Sequence, residues 1–183
     1  NASAIFVSTS TDRGASWSAA KRVSPITGDA GTGTIVMPWA IAGDPGRIAV
    51  VWYRGSIAGN STNINNRWDI FMGQSLNALD PSPTWTYTKV NEHNIHFGEI
   101  CLAGLNCDLA VPPGSRDRSF LEFPSITMDT RGAAMITWND NTNQSAVTAA
   151  NAQVTGAAYV MFSKQICGPS LLASVGDVAE AGT

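Results

Sequence analysis

Shifted against itself by 86 residues, the sequence sets Pro38 on Pro124, Gly46 on Gly132 and Trp52 on Trp138 with no gap. The apolar residues between these anchors agree as well. Ile48, Val50 and Trp52 fall over Ala134, Ile136 and Trp138, each set at the two-residue spacing of one strand face. Asp44-Pro45-Gly46 and Asp129-Thr130-Arg131-Gly132 carry turn chemistry between the strands. Each copy therefore reads as strand, tight turn, strand. A third strand follows at a distance in both copies, Asp69 to Gln74 and Ala158 to Ser163, and both resemble Ala4 to Thr9 near the start of the chain. Small β units repeated in this way bury their faces against one another, which predicts an all-β fold of four-stranded antiparallel units.

Residues 1–24 read as the second half of one unit, 35–90 as a complete unit, 91–122 as a long connection between units, and 123–183 as most of a further unit. Radial arrays of such units close with roughly four to eight blades, so the chain is expected to be part of a propeller. The remaining blades would come from the same precursor or from another chain. A start at Asn1, in mid-unit and without Met or a signal sequence, adds to the expectation of a piece. The stretch from Leu171 to Thr183 is weakly patterned and fits a first strand or a frayed end.

Between the first two apolar stretches lies Ser10-Thr11-Asp12-Arg13-Gly14-Ala15-Ser16-Trp17, placed where a hairpin turn belongs. Asp12 can accept backbone hydrogen bonds within the turn, Gly14 can take a positive φ, and Trp17 offers a large apolar lid. Ser75 to Trp85 keeps a Ser, an Asp and a closing Trp but lacks the Gly, and reads as a degenerate copy. The pattern of Ser10, Asp12, Gly14 and Trp17 resembles the Asp-box, or BNR repeat, of secreted bacterial sialidase-like β-propellers. That resemblance implies a six-bladed ring. It also implies that the Asp-box residues are structural and lie opposite any active site. A sialidase needs three arginines around the substrate carboxylate, a Tyr nucleophile assisted by a Glu, and an Asp acid/base. The family's Arg-Ile-Pro motif is missing here. The nearest sequences are Arg47-Ile48-Ala49 and Glu122-Phe123-Pro124, so no catalytic residue carries over by motif.

Composition narrows the classes. Net charge is −3 with 14% charged residues, and Lys occurs three times, which argues against nucleic acid as a partner. No apolar run approaches the roughly 18 residues that span a bilayer. Three sequons, at Asn1, Asn60 and Asn143, matter only in a host that glycosylates. Cys101 and Cys107 close a loop that a disulfide can span, which implies a secreted or extracellular address. A zinc site using His93 and His96, or free thiols, are the rival readings. Cys167 is left over.

In an antiparallel blade, successive connections alternate between the two ends of the strands. The connections from 54 to 67, 91 to 122 and 139 to 156 are long, and parity puts all three at one end. Long connections without internal structure are usually functional. This end is the candidate ligand-binding face, carrying Arg54, Arg67, Trp68, His96, Glu99, Arg118, Glu122 and Asp140, with His93 and Asn141 close in sequence. Arg suits carboxylates such as that of sialic acid, although Arg116-Asp117-Arg118 also reads as a solvated, salt-bridged turn. Trp68 fits either a sugar platform or a strand-edge packing residue. Around Asp140, an Asx-turn network is favoured over a calcium site, and no other cofactor is expected. Trp17, Trp52, Trp85 and Trp138 are assigned to packing between strands or blades.

Two functions follow as expectations. The favoured one is a secreted sialidase-like module that binds glycans or extracellular proteins, or builds a scaffold, through the long-connection face. The alternative is a fragment of a sialidase-type exo-glycosidase with catalytic groups drawn partly from other blades.

Overall fold

The structure, a computed structural model, describes residues 3–107, 116–117, 124–142 and 158–179. The described residues are all-β, with two single turns of 3-10 helix and no α-helix. Several antiparallel sheets form and none closes on itself. β1 (Phe6–Val7) pairs with β2 (Lys21–Arg22) across the Asp-box turn. β3 (Thr34–Ala42), β4 (Ile48–Gly55), β5 (Arg67–Ser75) and β6 (Thr86–Lys89) then run as a meander, each hydrogen-bonded to the next. β7 (His96–Phe97) pairs with the first residues of β5, Arg67 and Trp68.

A second meander follows, from β8 (Ser125–Met128) through β9 (Ala134–Asp140) to β10 (Tyr159–Lys164). β11 (Cys167–Pro169) does not extend it; that strand pairs instead with β12 (Asp177–Ala179). The repeat-anchoring prolines sit where a missing N–H costs little. Pro38 lies in β3 inside the irregularity between Val36 and Trp39, beside Met37 at φ 52°, and Pro124 directly precedes β8.

Strand alternation divides the core in two. From β4, Ala49, Val51 and Tyr53 join Trp68, Ile70 and Met72 of β5 against Ala134, Ile136 and Trp138 of the second meander. Val50 and Trp52 point the other way, with Phe71, onto Ile5, Val23 and Ala30 of the N-terminal layer. The first meander is thus buried on both faces, as near-continuous apolar strands require. The 86-residue equivalents share a sense of direction. Val50 and Trp52 face the layer that precedes theirs in sequence, and Ile136 and Trp138 do the same.

The Asp-box turn is closed by its own side chains. Ser10 Oγ accepts the Gly14 amide at 2.7 Å and donates to Asp12 Oδ1 at 2.8 Å, while Asp12 also accepts the Ser16 amide and hydroxyl at 2.9 and 2.6 Å. Gly14 takes φ 88°, which a side chain would resist. The degenerate copy repeats this scheme with a different residue. Asn77 Oδ1 accepts from Ser75 Oγ, the Thr84 amide and Thr84 Oγ1, so Asn77 holds the turn where the sequence suggested its Asp, Asp80.

The tryptophans need one correction. Trp52 and Trp138 are buried and Trp85 packs at the edge of the N-terminal cluster, but Trp17 is 66% exposed. It lines a groove of about 630 Å³ between the Asp-box turn and the turn around Asp44. Among the described residues, no further strand joins the two-strand N-terminal layer to lie over it.

Candidate functional site

Hydrogen bonds sort the connections into two ends. At one, the short turns hold each other: Gly46 accepts from the Ala78 amide, Asp44 donates to the Leu171 carbonyl, and Leu171 donates to the Gly132 carbonyl. At the other, the long connections meet. The Ile100 amide donates to Ser61, Gly98 to Asn66, and Asn141 to Ile95.

Short-range Asn chemistry shapes the first of these connections. Asn60 and Asn63 each accept an amide two residues on, and buried Asn66 bonds Ile57 N and Asn60 O with its two side-chain ends. Past β6, Asn91 takes over the ladder. Its Oδ1 accepts the Ile70 amide at 2.7 Å and its Nδ2 donates to Asp69, which also receives Asn94 Nδ2 and the Lys89 ammonium at 2.9 Å. The carboxylate of Asp69, 9% exposed, is thereby paired and hydrogen-bonded, as burial demands.

Of the nominated residues, Trp68, His96, Glu99 and Asp140 turn out to be internal. Trp68 is fully buried and donates its indole N–H to the Gly98 carbonyl at 2.8 Å, which rules out a sugar platform. His96 is fully buried, Nε2 donating to the Glu99 carbonyl and Nδ1 lying 2.9 Å from Asn141 Oδ1. Glu99, also buried, accepts the Asp117 amide at 2.6 Å. Asp117 is itself buried and its carbonyl accepts the Cys101 amide, so this residue is no part of a solvated turn. These side chains pin the second long connection to β5 and to the end of β9.

The others are placed differently. Arg54 braces the chain before β3, its Nε donating to Thr32 O at 2.6 Å with Asp29 3.9 Å from its guanidinium. Arg67 is exposed at the start of β5. Arg118 and Glu122 lie outside the described residues, as do the sequon residues Asn1 and Asn143. Cys101 and Cys107 form a disulfide and Cys167 is an exposed free thiol. Among the described residues no helix is long and apolar enough to cross a membrane, and no three His, Cys, Asp or Glu side chains group to hold a metal.

Asp140 anchors the best-formed polar feature of this end. Its carboxylate is 1% exposed, Oδ1 accepting the Thr142 amide and hydroxyl at 2.8 and 2.7 Å as an Asx turn, and Oδ2 accepting His93 Nε2–H at 2.7 Å. The His93 side chain, 30% exposed, borders a cleft of about 390 Å³ between the first meander and β10. Its orientation is set by the carboxylate, and Nδ1 is the ring nitrogen that makes no bond to Asp140. Nearby, burial holds the Tyr53 phenol well above its ordinary pKa. Sequence spacing could not pair His93 with Asp140, since 47 residues separate them.

The chain matches no family model, no curated protein and no solved structure.

Proposed function

We propose that the chain is a non-catalytic, secreted glycan-binding module of a sialidase-like Asp-box propeller, with the long-connection end as its binding face. The hydrogen bonds that join the described parts of the connections after β4, β6 and β9, Ile100 to Ser61, Gly98 to Asn66 and Asn141 to Ile95, carry this reading. The common sense in which Trp52 and Trp138 face the preceding layer supports radial stacking. On the outer side of the second meander, Val160 and Phe162 are 75% and 58% exposed. Phe162 pairs with Thr137, the repeat equivalent of buried Val51, and Val160 with Asn139, and a further sheet of the same kind would cover them. The disulfide fits an oxidising, extracellular setting. Trp68, His96 and Glu99 serve the frame rather than a substrate, which favours binding over hydrolysis.

The test pairs glycan binding with turnover. The purified chain, applied to immobilised neutral and sialylated glycans, should retain one class, and a fluorogenic sialoside should remain uncleaved. Turnover would establish the hydrolase, and retention of no glycan would reject the module.

A further inference from the structure

We propose that the cleft beside His93 and Asp140 is a subsite for a neutral sugar residue and not for a carboxylated one. This deepens, and rests on, the glycan-binding reading. The cleft's volume of about 390 Å³ is within the range of small-ligand sites. Its wall combines Val90, Ile95 and Met161 with His93, Asp140 and Glu92, an apolar side and a polar side such as a pyranose ring presents.

Donor and acceptor counts set the ligand class. With Nε2 committed to Asp140, His93 turns Nδ1 toward the cleft, and the exposed Glu92 carboxylate accepts. Hydroxyl groups donate to Glu92 and, able to donate or accept, pair with Nδ1 in either role. A carboxylate or phosphate has only acceptors to offer and meets two carboxylates. No Arg or Lys lines the cleft among the described residues, so nothing there supplies the two-pronged pairing that a sugar acid would use.

Trp138 adds the complementary group. It lines the same cleft, and its Nε1–H is buried with no hydrogen-bond partner among the described residues. Such a donor is costly to leave unmet, so a sugar oxygen that reaches it on binding gains from the pairing. The cleft therefore offers the Glu92 carboxylate to hydroxyl hydrogens and the Ser163 hydroxyl to an oxygen. A neutral polyhydroxylated ring satisfies both.

Nitrogen-15 spectra of the tryptophan indoles, with Trp138 assigned by loss of its signal in Trp138→Phe, provide the readout. The probes are methyl β-galactoside, methyl N-acetylglucosaminide and N-acetylneuraminic acid. A neutral glycoside should move the Trp138 signal saturably, and His93→Ala should weaken that binding about tenfold, equivalent to about 1.4 kcal/mol. Because His93→Ala strips a donor from buried Asp140, Glu92→Gln at an exposed position gives a second variant that should also weaken it. A stronger response to N-acetylneuraminic acid, or an unmoved signal with every probe, overturns the subsite. If the immobilised glycans are retained while the Trp138 signal stays fixed, the subsite fails and the module stands. If no glycan is retained either, both fail.

Discussion

The indole of Trp52 lies across Gly73 of the neighbouring strand, so close that a Cβ on that glycine would stand 3.0 Å from the ring. The ring also meets Tyr87 edge-on, with centroids 6.3 Å apart, and its Nε1 donates to the Ala30 carbonyl at 3.2 Å. A glycine that weakens most strands is here the seat of the core indole.

Gly73→Ala should therefore destabilise the chain by about 1–2 kcal/mol, since overpacking outweighs the gain in strand entropy. Urea denaturation would measure it. Adding Trp52→Phe should cost less in the Gly73→Ala background than in the parent, because the two residues share one space.

The tryptophans should separate by burial. Trp52→Ala removes a fully buried side chain and should cost about 3–5 kcal/mol in thermal or chemical denaturation. Trp17→Ala, at 66% exposure, should change stability by no more than about 0.5 kcal/mol. Equal losses would mean that Trp17 is covered in solution.

Acid should act on the turns. Hydrogen bonds from the Ser16 hydroxyl and amide, and from Ser10, lower the Asp12 carboxyl from 3.8 to about 2, and Lys164 leads the causes that lower Asp129 likewise. Because both folded values are depressed, their contribution is present above 3.8 and is lost as pH falls through about 2. Carbon-13 titration of the carboxyls should show both midpoints near 2. Ser16→Ala should return Asp12 toward its ordinary value and leave Asp129 unmoved, whereas added salt should raise Asp129, whose first partner is the Lys164 ammonium 2.6 Å away.

Reduction should reach the long-connection end before the sheets. The disulfide closes a short loop, worth about 2 kcal/mol by loop entropy, and Cys101 is tied through its amide to Asp117. In a Cys167→Ser background, reductant should raise amide hydrogen exchange at Ile100 and Cys101 while β4 and β5 stay protected. Uniform loss of protection would contradict this.

The residue alphabet of the sheets was legible because strand spacing is a local property. Ile48, Val50 and Trp52 announce one face by their two-residue period, and the 86-residue self-match announces its repetition. Turn residues spoke as plainly: Asp12 and Gly14 do in the structure what their chemistry allows anywhere. Asn77 was less readable, since an amide oxygen and a carboxylate serve equally as a turn acceptor, and only the fold shows which one sits in reach.

The sequence by itself determined the antiparallel strand pairs and the Asp12 turn, and it made Cys101 with Cys107 the favoured disulfide, because each depends on short-range spacing. Tertiary structure alone decided that Trp68, His96 and Glu99 lie inside while His93 meets Asp140 at the edge of a cleft. Burial and long-range pairing are set by which layers cover one another. A residue's type and neighbours in sequence carry no record of what will be laid across it.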